Sequence, residues 1–118
     1  MILVDTSVWI DHLRSTDSDL SQALDEGEVL MHPAVLGELA CGNLRNRAGL
    51  LALWSELPSA REATHTEVLA FIEGHRLMGR GIGYVDAQIL AATLLTPAAK
   101  LWTRDRVLAR VAKEVGAL

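Results

Sequence analysis

Four of the chain's acidic side chains stand where a carboxylate calls for an explanation. Asp5 closes the apolar run Ile2-Leu3-Val4, and Asp105 comes just after Lys100-Leu101-Trp102-Thr103. Both runs have the apolar or β-prone character of strands in a parallel sheet, and ligand sites in such sheets form beyond the carboxyl ends of the strands. Asp86 opens the apolar stretch that runs to Leu95. Glu38 is the only charged residue between Pro33 and Leu44. On a helix it falls in line with Ala34 and Cys41 and near Val35 and Gly42, which predicts a position near the core. An ionised carboxylate there costs several kcal/mol (~3–5 when left unpaired) unless it is paired, protonated or bound to a metal.

Each acid also has an ordinary role. Asp5, Asp86 and Asp105 all fall at helix starts, where a carboxylate caps free N–H groups and meets the positive end of the helix dipole, worth ~0.3–1 kcal/mol. Capping and catalysis are compatible. Glu38 has two plainer alternatives, pairing with Arg45 at i+7 or pointing to solvent. If the four converge, their repulsion demands a cation, and an all-oxygen donor set suits Mg²⁺ or Mn²⁺ rather than Zn²⁺. Such an ion orients a water, lowers its pKa and neutralises a phosphate, the chemistry of phosphodiester hydrolysis. Thr6, Ser7 and Thr103 offer hydroxyls next to these acids, either toward metal-bound waters or as simple caps.

Other chemistries lack their residues. His12, His32, His65 and His75 show no His-Glu-x-x-His spacing, and Ser7 lies outside a Gly-x-Ser-x-Gly elbow. Gly79, Gly81 and Gly83 form neither a dinucleotide fingerprint nor a phosphate-binding loop, and read as turn glycines. Cys41 is the single cysteine; it excludes an internal disulfide and, with apolar neighbours, reads as a small core residue. Trp9, Trp54 and Trp102 read as core packing more readily than as base-stacking platforms.

The acids are positioned by alternating strands and helices. Asp5-Thr6-Ser7 passes a strand directly into a helix, and a second helix from Ser18 or Asp19 to about Glu26 ends at Gly27. Val29-Leu30-Met31 reads as the second strand, and Pro33 starts a helix through Cys41. Asn46 to Trp54 is helical, and Ala60 to Ala63 reads as a weak strand. Thr64 and Glu67 have capping-box spacing and start a helix that carries Val68, Leu69, Ile72, Leu77 and Met78. The helix from Asp86 stops at Thr96-Pro97, and Arg104-Asp105 leads into the last helix after the Lys100–Thr103 strand. Short strands separated by helices predict an α/β fold, a parallel sheet covered on both faces with right-handed crossovers.

The 118 residues suffice for one core, and residues 1–118 read as a single domain without a linker or repeat. Half the residues are hydrophobic but only 4% are aromatic, so that core is aliphatic. The apolar runs fall far short of the ~20 residues of a membrane-spanning helix, and the first residues lack the pattern of a signal peptide, so a cytoplasmic protein is expected. A net charge of −4 argues against binding nucleic acid by bulk electrostatics. Its distribution is uneven: residues 1–79 hold 5 Lys/Arg against 12 Asp/Glu, and residues 80–118 hold 6 against 3. Arg104, Arg106, Arg110 and Lys113 then either rim an acidic pocket or lie on a solvated helix face.

Taken together, Ile2-Leu3-Val4-Asp5-Thr6-Ser7-Val8-Trp9-Ile10, Glu38-Leu39-Ala40-Cys41-Gly42, Gly83-Tyr84-Val85-Asp86-Ala87-Gln88-Ile89-Leu90-Ala91-Ala92 and Leu101-Trp102-Thr103-Arg104-Asp105 resemble the PIN-domain family, specifically its VapC-type toxins. The resemblance spans nearly the whole chain, in the family's order and spacing. It implies a three-layer α/β/α sandwich around a parallel sheet. It also implies that Asp5, Glu38, Asp86 and Asp105 are the catalytic, metal-binding acids for Mg²⁺ or Mn²⁺, supported by Thr6, Ser7 and Thr103. The activity implied is endonucleolytic hydrolysis of RNA by a homodimeric toxin, inhibited by a cognate VapB-type antitoxin whose tail occupies the acidic groove. Arg80, Arg104, Arg106 and Arg110 are candidate RNA phosphate contacts. Two alternatives remain: a catalytically idle binding module on the same fold, and a PIN nuclease of RNA maturation.

Overall fold

The computed structural model describes residues 1–118. Its sheet is organised around β1 (Ile2–Val4), which pairs in parallel with β2 (Val29–Leu30) on one side and β3 (Lys100–Trp102) on the other. Leu3 stands opposite both Leu30 and Leu101. Successive side chains on a strand point to opposite faces. Leu3 and Val4 are nevertheless both fully buried, so the sheet is covered on its two faces, as the three-layer reading requires.

The order β2-β1-β3 places the first strand at the centre, with its neighbour in sequence on one side and the last strand on the other. Right-handed crossovers from a central strand depart toward opposite faces, and a crevice opens at the carboxyl end where they part. Between β1 and β2 lie α1 (Thr6–Arg14) and α2 (Ser18–Asp25). Between β2 and β3 come α3 (Pro33–Ala40), α4 (Arg47–Ser55), α5 (His65–Gly74) and α6 (Tyr84–Leu95), and α7 (Arg106–Val115) closes the chain. Helix α3 packs on α1, α4 and α6, while α6 also packs on α5 and β3. Residues on α1, α3 and α6 and those following β3 are thereby brought to one edge of the sheet.

The core is aliphatic around one aromatic contact, Trp9 on Trp54 with ring centroids 5.7 Å apart. Both indoles are buried, whereas Trp102 is half-buried at the end of β3. Thr64 and Glu67 form the expected reciprocal capping box at the start of α5.

Several local expectations are corrected. Ala60 to Ala63 is not a strand; pairing there is limited to one parallel bridge between Met31 and Ser59, because only Ala60 of that stretch is buried and Arg61 and Glu62 face solvent. Helix α5 ends at Gly74, not near Met78, and Arg76 takes a left-handed conformation (φ 53°) just beyond it. Leu77 still reaches the core from that turn, while Leu69 and Met78 are exposed. Asp86 does not open α6 but lies on its first turn, with Gly83 as the capping position. Cys41 is exposed at the carboxyl end of α3 rather than in the core.

His32 shows how the chain's polar groups are made compatible with burial. It is 3% exposed, and its Nδ1 accepts the Ala34 N–H at 3.0 Å, which caps α3. Burial pushes the imidazole below its usual pKa, opposed in part by the Glu62 carboxylate. For a base depressed in this way the unfolded chain takes up the proton first, so the stability it contributes is complete above about pH 6.5 and declines below it. His32→Asn retains a capping side chain without a titrating ring. Urea midpoints measured at about pH 7.5 and about pH 5.5 should fall more for the wild type than for the variant; equal falls would place the acid sensitivity elsewhere.

Candidate active site

The site begins with Asp5, whose carboxylate is 6% exposed at the end of the central strand. Burial of such a group requires donors, and three converge on it. The Thr6 N–H donates to Oδ1 at 2.8 Å, while the Ser7 and Thr103 hydroxyls donate to Oδ2 at 2.8 and 2.7 Å. The same hydroxyls accept from the backbone after β3: Ser7 Oγ from the Arg104 N–H and Thr103 Oγ1 from the Asp105 N–H, both at 3.1 Å. Asp5 N also donates to the Trp102 carbonyl at 2.9 Å. The carboxyl ends of β1 and β3 are in this way joined through one carboxylate and two hydroxyls, and Asp105 is delivered to the same edge as Asp5.

Asp105 caps α7, its Oδ1 accepting from the Val107 and Leu108 N–H groups at 2.9 and 3.1 Å. One oxygen is thus engaged by the helix end and the other is free of hydrogen bonds. Asp86 is arranged alike: its Oδ2 accepts the Gly83 N–H at 3.0 Å, the half of a capping box available when glycine holds the cap position. The capping and functional readings of these acids therefore coexist in single residues.

Glu38 departs from expectation. It is exposed rather than buried, and its partner is the Thr6 hydroxyl, which donates to Oε1 at 2.6 Å, not Arg45. The apolar sequence around it reflects the packing of α3 through Val35 and Leu39. Glu38 itself lies where the seam between α1 and α3 opens at the edge of the sheet.

Asp86 lies within electrostatic reach of the other three acids. The Asp86 carboxyl is raised above the usual carboxylate range, first by burial and then by the negative charges of Asp5, Asp105 and Glu38, with only the Gly83 N–H acting in the opposite direction. The side chains are not drawn into a ready-made cluster of three ligating groups. An all-oxygen set with uncompensated negative charge fits a hard divalent cation. No lysine, arginine or histidine is salt-bridged to any of the four.

The arginine candidates divide. Arg104 is held by Asp11 at 3.0 Å and by Asp17, and Arg80 is held by both oxygens of Glu114 at 2.9 and 3.1 Å. Arg106 and Arg110 are exposed and unpaired. Sequence reasoning missed the Arg104 clamp, in which Asp17 also caps α2. It spans segments 87 and 93 residues apart, and no local spacing signals it. Gly83 was read only as a turn residue, although its N–H orients Asp86.

This fold, a parallel sheet with Asp5 and Asp105 at the carboxyl ends of two adjacent strands, is that of a nuclease-like α/β domain. The PIN domain family matches residues 2–114, and the chain belongs to that family. It is 46% identical over 116 residues to Ribonuclease VapC32 of Mycobacterium tuberculosis strain CDC 1551 / Oshkosh, and equally to the protein of that name in strain ATCC 25618 / H37Rv. Each alignment covers 98% of this chain and 94% of the relative. The VapC-type resemblance carried by the sequence motifs is borne out.

Because the Asp86 carboxyl is raised on folding, its charge opposes the folded state. The penalty is present above the ordinary carboxylate range and disappears as pH falls through it. Asp86→Asn keeps an acceptor for the Gly83 N–H and removes the charge. In metal-free buffer near neutrality the variant should melt above the wild type, and the difference should close on acidification. A lower melting temperature at neutral pH would show that the four acids do not repel one another as described.

Proposed function

We propose that the chain is a metal-dependent endoribonuclease, the toxin half of a VapBC-type toxin–antitoxin pair. The observation that carries this reading is the junction at the carboxyl ends of β1 and β3, where Thr6, Ser7 and Thr103 hold Asp5, Thr6 also reaches Glu38 and Asp105 follows directly; the raised Asp86 carboxyl accords with it. Membership of the PIN-domain family and the likeness to Ribonuclease VapC32 support it. Asp5, Glu38, Asp86 and Asp105 would hold Mg²⁺ or Mn²⁺. The bound ion would supply charge neutralisation at the phosphate and a water of lowered pKa.

The chain's own residues do the positioning. Ser7 and Thr103 fix Asp5 through Oδ2, and Thr6 fixes Glu38, so their carboxylates are oriented before substrate arrives. The helix caps spend one oxygen each of Asp86 and Asp105, leaving the other for the pocket. An acid can accept a proton from an attacking water only while deprotonated, which burial of Asp86 resists. Thr6, Ser7 and Thr103 thus support the acids through hydrogen bonds to their carboxylates.

The remaining assignments follow the same reading: residues 1–118 form one PIN domain, the protein works in the cytoplasm as a homodimer, and a VapB-type antitoxin is its partner. No helix is long and apolar enough to cross a membrane. An antitoxin side chain such as arginine would pair with the carboxylates in place of the cation, so an Arg-bearing antitoxin peptide should compete with Mg²⁺ in a titration. Absence of competition would remove the antitoxin from the pocket.

The activity is tested on total host RNA with purified, antitoxin-free protein in Mg²⁺ or Mn²⁺, beside EDTA and a folded Asp5→Asn control. Discrete fragments that require both metal and Asp5 are expected. The loss in Asp5→Asn should exceed the ~10–100-fold typical of residues one shell removed from a metal. RNA left intact by the wild type under both metals would instead indicate a catalytically idle binding module.

A further inference from the structure

The last helix carries a charge pattern that the acid pocket does not explain. Arg106, Arg110 and Lys113 are spaced i, i+4, i+7 and form one exposed row along α7. The opposite face is its buried one, with Leu108, Val111 and Ala112 at 0, 1 and 0% exposure. The row therefore points directly away from the protein. None of the three cations has an acidic partner: the only ion pairs in the structure are Arg80 with Glu114 and Arg104 with Asp11 and Asp17. Glu114, the one acid of α7, is already occupied by Arg80.

Helix stability does not account for the row. A helix start favours acids and disfavours cations. Helix α7 nevertheless has no acid in its first turn and begins with Arg106 immediately after the capping Asp105. Only Lys113, in the last turn, accords with the dipole. No contact within the chain accounts for the placement of Arg106 or for the unpaired Arg110. At 1.5 Å per residue, the row extends about 10 Å from Arg106 to Lys113. A row of three cations of that length can meet a short run of consecutive backbone phosphates. The row starts one residue from Asp105, the acid that caps α7.

We propose that Arg106, Arg110 and Lys113 form a track for the phosphate backbone of single-stranded RNA, holding nucleotides that flank the bond placed at the acids. The inference rests on the ribonuclease reading for its substrate class. The track reads charge and not base identity, and it offsets the repulsion that a net charge of −4 and four pocket carboxylates exert on RNA.

The test is binding of fluorescein-labelled 20-nucleotide oligouridylate and oligoadenylate to the full chain in the Asp5→Asn background, by anisotropy in EDTA buffer from about 50 to about 200 mM salt. Each phosphate contact on a single strand contributes about 0.7 to the slope of log affinity against log salt. Arg106→Gln, Arg110→Gln and Lys113→Gln together should lower that slope by about 2 and weaken binding at the lowest salt at least about tenfold, equally for both sequences. Arg106→Lys with Arg110→Lys should retain the slope. All three side chains are exposed, so the melting temperature should stay put. An unchanged slope in the triple variant, or a loss in the lysine variant as large as in the glutamine variant, overturns the track. Full binding with its slope, alongside a wild type that cleaves no RNA, keeps the track and rejects the ribonuclease reading; RNA cleavage with an unchanged slope does the opposite.

Discussion

A carboxylate buried at the end of the central strand sets the terms for everything around it. Asp5 can be almost inaccessible only because Thr6, Ser7 and Thr103 supply it with hydrogen bonds. Two of those donors also accept from the backbone that follows β3. The requirement to satisfy one charge consequently fixes the junction between the first and last strands. Asp105 is carried along with that junction, and α7 starts where its carboxylate caps it. The strands are only two or three residues long, so polar bonds of this kind carry an unusual share of the burden of holding the edge in place.

The remaining two acids come from the helices that flank this junction. Glu38 is tied to α1 through the Thr6 hydroxyl, and Asp86 is tied to its own helix start through Gly83. The result is a pocket whose members are individually held and collectively repulsive. Surface arginines do not relieve the repulsion, since Arg80 and Arg104 are committed to Glu114, Asp11 and Asp17. A fold that keeps negative charge uncompensated in this way gives up stability at that edge. Within the VapC-type PIN framework, this charge and not the size of any cavity marks the candidate site. The larger surface grooves are lined by other residues, such as Ile10, Leu13 and Leu50 in one case and Phe71, Leu94 and Leu95 in another.

Much of this was legible in the chain because local physics and tertiary position agree. The run Ile2-Leu3-Val4 is apolar without alternation, as a strand covered on two faces must be, and the rule that sites form beyond strand ends selects Asp5 and Asp105 directly. Pro33, Gly27 and the Thr64–Glu67 pair mark helix ends through their own backbone and capping chemistry. Glu38 was selected for the wrong physical reason. The apolar residues beside it are dictated by packing against α1, α4 and α6, while its own exposure follows from where the helix seam opens. The same distinction applies to Cys41, whose neighbours are buried although it is not. Ala60 to Ala63 lacked the partner strand it needed beyond Met31, and a sequence does not show how far pairing extends. The Arg104 clamp joins residues far apart in the chain and left no periodic trace.

The central claim is that Asp5, Glu38, Asp86 and Asp105 form one cation site. A crystal structure of the wild-type protein soaked in Mn²⁺, with anomalous difference density recorded, tests it most directly. The account predicts density among these four carboxylates, with Asp86 and Asp105 each directing inward the oxygen not used in capping. Density confined to other surface acids, or none at millimolar Mn²⁺, would contradict it.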